Sequence, residues 1–118
     1  MLTTISLTYR LSTSAADLLG DDAIGTYEDA LCAALETAHP DAEVSVDVRR
    51  ATADESTFDA TCETTDGVEL QVWRGVVGRV EIGVDPEALG YAESEAICES
   101  FRHADETAWE RACEAVEA

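Results

Sequence analysis

GVELQVWRGVVGRVEIGV, residues 67–84, reads as two adjacent strands. Val68, Leu70 and Val72 alternate with Glu69, Gln71 and Trp73, and Val80, Ile82 and Val84 alternate with Arg79 and Glu81. A period of two sends one set of side chains to each face of a sheet. Gly75 and Gly78 bracket the turn between the strands or mark a bulge. A two-stranded ribbon is not stable alone in water, so the flanking segments must supply more strands and a layer to cover the apolar face.

Working towards the N-terminus, Thr65-Asp66-Gly67 reads as a three-residue hairpin loop with Gly67 left-handed. That loop sets Thr64 opposite Val68, Cys62 opposite Leu70 and Ala60 opposite Val72. A two-residue Asp-Gly turn would set inward residues against outward ones, so register favours the longer loop. Phe58, Ala60 and Cys62 form the inner face of that preceding strand, and residues 51–56 form a polar connection. Val44, Val46 and Val48 mark a strand over residues 43–50, and Ile5, Leu7, Tyr9 and Leu11 mark one over residues 4–11.

Between these two strands, Ile24, Tyr27, Leu31, Ala34, Leu35 and Ala38 recur at helical spacing. Thr26 and Asp29 resemble a capping box, and His39-Pro40 ends the helix. Residues 12–25 read as a turn-rich loop anchored by Leu18 and Leu19. Towards the C-terminus, Asp85-Pro86-Glu87 is a helix-start signature. Gly90 breaks a first turn, and a long helix runs from about Tyr91 to about Val116. Its buried stripe is Ile97, Phe101, Ala104, Ala108, Ala112 and Ala115, flanked by Cys98, Trp109 and Val116.

The expected fold is α+β, one acidic domain over residues 1–118 in the order β-α-β-β-β-β-α. It is a two-layer sandwich: a five-stranded, mostly antiparallel sheet with two helices on one face. A helical crossover makes the first two strands parallel if they are neighbours, and the rest form an antiparallel meander. Thr4, Ser6, Thr8, Asp47, Thr61, Glu69 and Gln71 then face water.

Charge is the strongest signal. Against 26 Asp plus Glu stand 7 basic residues, all arginine, for a net charge of -19. Such a surface repels nucleic-acid phosphates and anionic membranes and favours cations or basic proteins. The opening MLTTISLTYR lacks the layout of a signal peptide and no apolar run approaches a membrane span, so cytoplasmic residence is expected. Cys32, Cys62, Cys98 and Cys113 form no CxxC, and their even count leaves a disulfide pair open should the protein be secreted. Cys32 and Cys62 are expected as core thiols, and Cys98 and Cys113 as part-buried ones.

No chemistry of catalysis is legible. The spacing of Cys98, His103 and Cys113 suits no common zinc pattern, there is no GxSxG elbow, and Gly75, Gly78 and Gly83 make no phosphate loop. His39 is read as a helix-end residue in favourable contact with the dipole. The expectation is a non-enzymatic protein without cofactor or metal. Trp73 projects from the wet face near Arg79 and Arg49, either as a binding anchor, or folded over its own sheet edge, or straddling a bulge with Val72.

Two functional expectations remain. In the first, the acids occupy a cationic nucleic-acid-binding groove on a basic protein or nucleic-acid-handling complex and inhibit it. In size and charge the chain resembles small phage-encoded inhibitors, some anti-CRISPR proteins among them, that act as nucleic-acid mimics; no motif carries the resemblance. The partner-binding ridge is then Glu99, Glu106, Glu110 and Glu114, opposite the buried stripe, with Arg102 or His103 offsetting Glu99 and Arg111 offsetting Glu114. The alternative surface is the wet sheet face around Asp59, Glu69, Trp73 and Glu81. In the second expectation, the acidity is a halophilic-type adaptation of a cytoplasmic domain with an unrelated ligand or enzymatic role; the absence of lysine fits it.

Overall fold

A computed structural model describes residues 2–52, 55–74, 82–84 and 89–117. The elements are β1 (Leu2–Leu11), α1 (Thr13–Leu19), α2 (Asp21–Ala38), β2 (Glu43–Arg50), β3 (Thr57–Thr64), β4 (Glu69–Arg74), β5 (Ile82–Val84) and α3 (Tyr91–Glu117). The class is α+β. The strands form one mixed sheet in the order β2-β1-β3-β4-β5, its fifth strand only three residues long where it is described.

The β3–β4 hairpin has the register that its loop dictates. Cys62 pairs with Leu70 and Ala60 with Val72. The Thr64 amide donates to the Val68 carbonyl at 2.9 Å, and Gly67 holds φ at 81°, a left-handed angle that a side chain would strain. β1 and β2 are parallel neighbours, as the helical crossover requires. The meander, however, is shorter than expected. β3 pairs antiparallel with β1 rather than β2, which leaves β2 at the edge and β1 in the interior of the sheet. Ten mostly alternating residues with Leu2, Ile5, Leu7, Tyr9 and Leu11 all buried suit that interior place. Val44 and Val46 on the edge strand are only half-buried.

Three helices are described where two were expected. The segment read as a loop forms α1 and the first turn of α2. The Ser12 side chain caps α1 by accepting from the Ala15 amide at 3.2 Å, and Ala16 and Leu19 turn inward. Leu18 is 73 % exposed and anchors nothing. Gly20, at φ 82°, ends α1 and begins α2 in one step. The helix therefore starts before Thr26, whose hydroxyl donates to the Asp22 carbonyl at 3.2 Å instead of capping. Asp21 and Asp22 occupy the first turn, where the dipole favours acids. The Asp85-Pro86-Glu87 signature, Gly75, Gly78, Arg79 and Val80 lie outside the described residues.

α2 and α3 cover the same face of the sheet. Tyr27 of α2 meets Tyr9 edge-on at 5.6 Å, and Phe101 of α3 meets Phe58 at 6.4 Å. Tyr9 and Phe58 are themselves cross-strand partners. The two helices run antiparallel, since Tyr27 meets Trp109 while His39 meets Ser100 and Phe101. Ile97, Phe101, Ala104, Ala108 and Ala112 form the buried stripe of α3. Ala38 and Ala115, at apolar-stripe spacing, are exposed, because each lies in the last turn of its helix.

Candidate functional site

The outer ridge of α3 follows from its inner stripe. Residues at a spacing of three and four share a helix face, so burying Ile97, Phe101, Ala104 and Ala108 turns Glu99, Glu106, Glu110 and Glu114 outward. All four are exposed. Glu99 is ion-paired with Arg102, one turn on. Among the described residues Glu106, Glu110 and Glu114 have no ion pair. The expected offset of Glu114 by Arg111 is not formed.

Trp109 lies between Glu106 and Glu110 and, with Cys113, lines a shallow depression with them. The indole is 36 % exposed and rests edge-on against Tyr27 at 6.1 Å. Tyr27, wholly buried, donates its hydroxyl to Asp105 Oδ1 on the next helix. Asp105 is 6 % exposed. This buried carboxylate escaped the sequence reading, although its spacing carried a signal. It follows Phe101 by four residues and precedes Ala108 by three, a polar residue at an apolar-stripe position. The site therefore gathers two unpaired carboxylates beside a half-exposed aromatic ring that buried groups hold in place.

The sheet face opposes the helices and carries the alternative surface. Glu43, Thr4, Glu63 and Glu69 follow one another across four strands. The next row is Ser45, Ser6, Thr61 and Gln71, and the next is Asp47, Thr8, Asp59 and Trp73. Asp59 and Trp73 are thus neighbours, while Glu69 lies two rows away, and Glu81 lies outside the described residues. Trp73 is 44 % exposed, yet its ring already has a partner: Cε2 and Cζ2 lie 3.2 Å from where a Cβ on Gly83 would stand. The indole folds over the adjoining strand, and the unbroken register through Val72 and Trp73 leaves no bulge. Asp47 is half-buried between Arg10 at 3.3 Å and Arg49 at 3.0 Å. Asp47 is thus paired within the sheet, whereas among the described residues Glu43, Asp59, Glu63 and Glu69 have no ion pair.

One arrangement was not anticipated at all. His39 Nε2 lies 2.8 Å from Ser100 Oγ, 61 residues away, in a crevice floored by Leu2 and Ile97. The pair resembles a nucleophile and its base, but its hydrogen bonds run the other way. Ser100 donates its only proton to the Ile97 carbonyl at 2.7 Å, so the hydroxyl accepts from His39. The helical amides around Ser100 are committed to α3 and cannot form an oxyanion hole. Burial pushes the His39 imidazole below its usual value, so it is held neutral rather than charged against the helix dipole. His39 is nonetheless the C-cap of α2, as its place before Pro40 implies.

All four cysteines are free. Cys62 is buried, and burial pushes its thiol up to about 12. Cys32 was expected in the core but is half-buried on the side of α2, donating to Glu36 Oε1 at 3.2 Å; burial and Glu36 push it up to about 11. Cys98 and Cys113 are half-buried on α3. Among the described residues no three His, Cys, Asp or Glu side chains come close enough to hold a metal ion, and no helix is long and apolar enough to cross a membrane.

The chain finds no match among family models, curated proteins or solved structures.

Proposed function

We propose that this protein is a non-enzymatic inhibitor that lays the acidic ridge of α3 into a cationic, nucleic-acid-binding groove of a basic partner. The observation that supports it is the arrangement of Glu106, Glu110 and Glu114 without ion partners along one rigid helix, beside Trp109. Glu106 and Glu110 are about 6 Å apart along the axis, comparable to the spacing of successive phosphates on a strand. A helix holds these charges without the ordering cost of a flexible acidic tail. Trp109 adds a flat face on which an arginine of the partner can stack.

The test is capture followed by competition. Immobilised protein is exposed to host lysate at moderate salt, and a duplex oligonucleotide is then added. A partner held through its nucleic-acid groove is released by the oligonucleotide and is not captured by a Glu106→Gln/Glu110→Gln/Glu114→Gln variant. Capture insensitive to both contradicts the reading.

The salt-adapted reading has one observation in its favour. Exposed acids are not confined to α3: Asp21, Asp22, Asp29 and Glu36 on α2 and Glu43, Glu63 and Glu69 on the sheet are exposed as well. A general adaptation spreads charge in this way.

A further inference from the structure

On the flank of α3 away from Trp109, the helix layer opens into a groove of about 430 Å³ between α2 and α3. Ala30, Ala33 and Ala34 form its floor on α2, and His103, Thr107 and Arg111 face them from α3. The alanines let the helices approach closely underneath while leaving space above. Its volume falls in the range of sites that hold small organic molecules.

Arg111 is the unusual member. Arg10 and Arg49 are paired with Asp47, Arg50 with Asp17 and Asp21, and Arg102 with Glu99. Among the described residues Arg111 has no ion pair, although Glu110 precedes it and Glu114 lies one turn on. In a chain carrying 26 acids, Arg111 lines the mouth of an apolar groove, exposed and without an ion pair to any described carboxylate, and its guanidinium is free to take one. Guanidinium and carboxylate match in a two-pronged geometry.

We infer that this groove binds a small aliphatic carboxylate, its headgroup on Arg111 and its chain along the alanines. A single unpaired cation fits a monoanion. A phosphate dianion would bring surplus charge into a body of net charge -19. His103 lines the same groove and offers a further donor to the headgroup. The inference does not depend on the ridge, which faces solvent beside the groove.

Salt separates the two sites. A basic partner on the ridge binds more weakly as salt rises, whereas an anion approaching this protein is repelled by the whole molecule. Screening that repulsion strengthens its binding between about 0.02 M and about 0.15 M salt. The probe is octanoate, titrated by calorimetry below its micelle concentration, with octanol and acetate as controls for chain and headgroup. The expected result is saturable one-to-one binding of octanoate that exceeds that of either control. Arg111→Gln weakens it about tenfold, the loss of one charge-assisted contact. Ala33→Leu, a change at an exposed position, blocks it by filling the groove. Circular-dichroism melts of both variants confirm that they fold. Absence of saturable binding, octanol binding equal to octanoate, or unchanged affinity in folded Arg111→Gln overturns the inference. So does binding of a peptide with an acidic C-terminus where octanoate fails, which would make the groove a protein contact.

Discussion

Tyr27 and Asp105, 78 residues apart, are joined by a buried hydrogen bond across the α2–α3 interface. The same tyrosine meets Tyr9 of the sheet and Trp109 of the outer ridge edge-on. One side chain thus connects the interior strand β1, both long helices and the aromatic ring of the candidate surface. The acidic ridge is held in register with the core through this contact.

Removing the hydroxyl takes one hydrogen-bond donor from the buried Asp105. Tyr27→Phe is expected to cost about 1–3 kcal/mol, the range for a buried polar group that loses one hydrogen bond. Tyr27→Phe/Asp105→Leu, which removes both polar partners, is expected to recover part of that loss. Urea denaturation of the two variants and the parent measures it. A neutral Tyr27→Phe would mean that the bond does not contribute to stability.

His39 makes stability depend on pH with a definite sign. Burial lowers its folded value, so the unfolded chain binds the proton more readily. The contribution is whole above the unfolded value near 6.5 and is lost as pH falls through that value towards the lower folded one. His39→Gln keeps a donor for Ser100 but removes the titration. Between about pH 7 and about pH 5, above the range of most carboxylates, the parent should lose more of its urea midpoint than the variant. Parallel loss in both would place the pH dependence elsewhere.

What the sequence disclosed follows from where local chemistry dominates. The hairpin register was legible because Thr65-Asp66-Gly67 leaves only one loop that keeps Cys62 and Leu70 on one face. The long stripe of α3 was legible because its period is sustained over many turns. α1 was not, because seven residues make only about two turns, too few for a period to show. The place of β1 between β2 and β3 depends on long-range pairing that no local pattern encodes. The ridge glutamates could be assigned to one helix face from spacing alone. The Tyr27–Asp105 and His39–Ser100 bonds, and the pairing of Asp47 with Arg10, join residues distant in sequence and needed the tertiary structure.

Salt distinguishes mimicry from adaptation. A protein that inhibits a partner at ordinary ionic strength must be folded there, whereas a salt-adapted one loses its fold when self-repulsion is unscreened. The melting temperature is expected to remain well above ambient at about 0.05 M salt and to rise moderately towards about 2 M. Unfolding at the low end would favour adaptation over inhibition.

The most direct test of the ridge compares equal changes of charge at two places. A labelled arginine-rich peptide serves as the basic probe, titrated by fluorescence anisotropy at low salt. One variant carries Glu106→Gln, Glu110→Gln and Glu114→Gln; the other carries Asp59→Asn, Glu63→Gln and Glu69→Gln on the sheet face. Each removes three charges, so long-range attraction falls equally. The account predicts that the ridge variant binds about tenfold more weakly than the sheet variant, because contact pairs are lost only there. Equal losses, or a greater loss from the sheet variant, would contradict it.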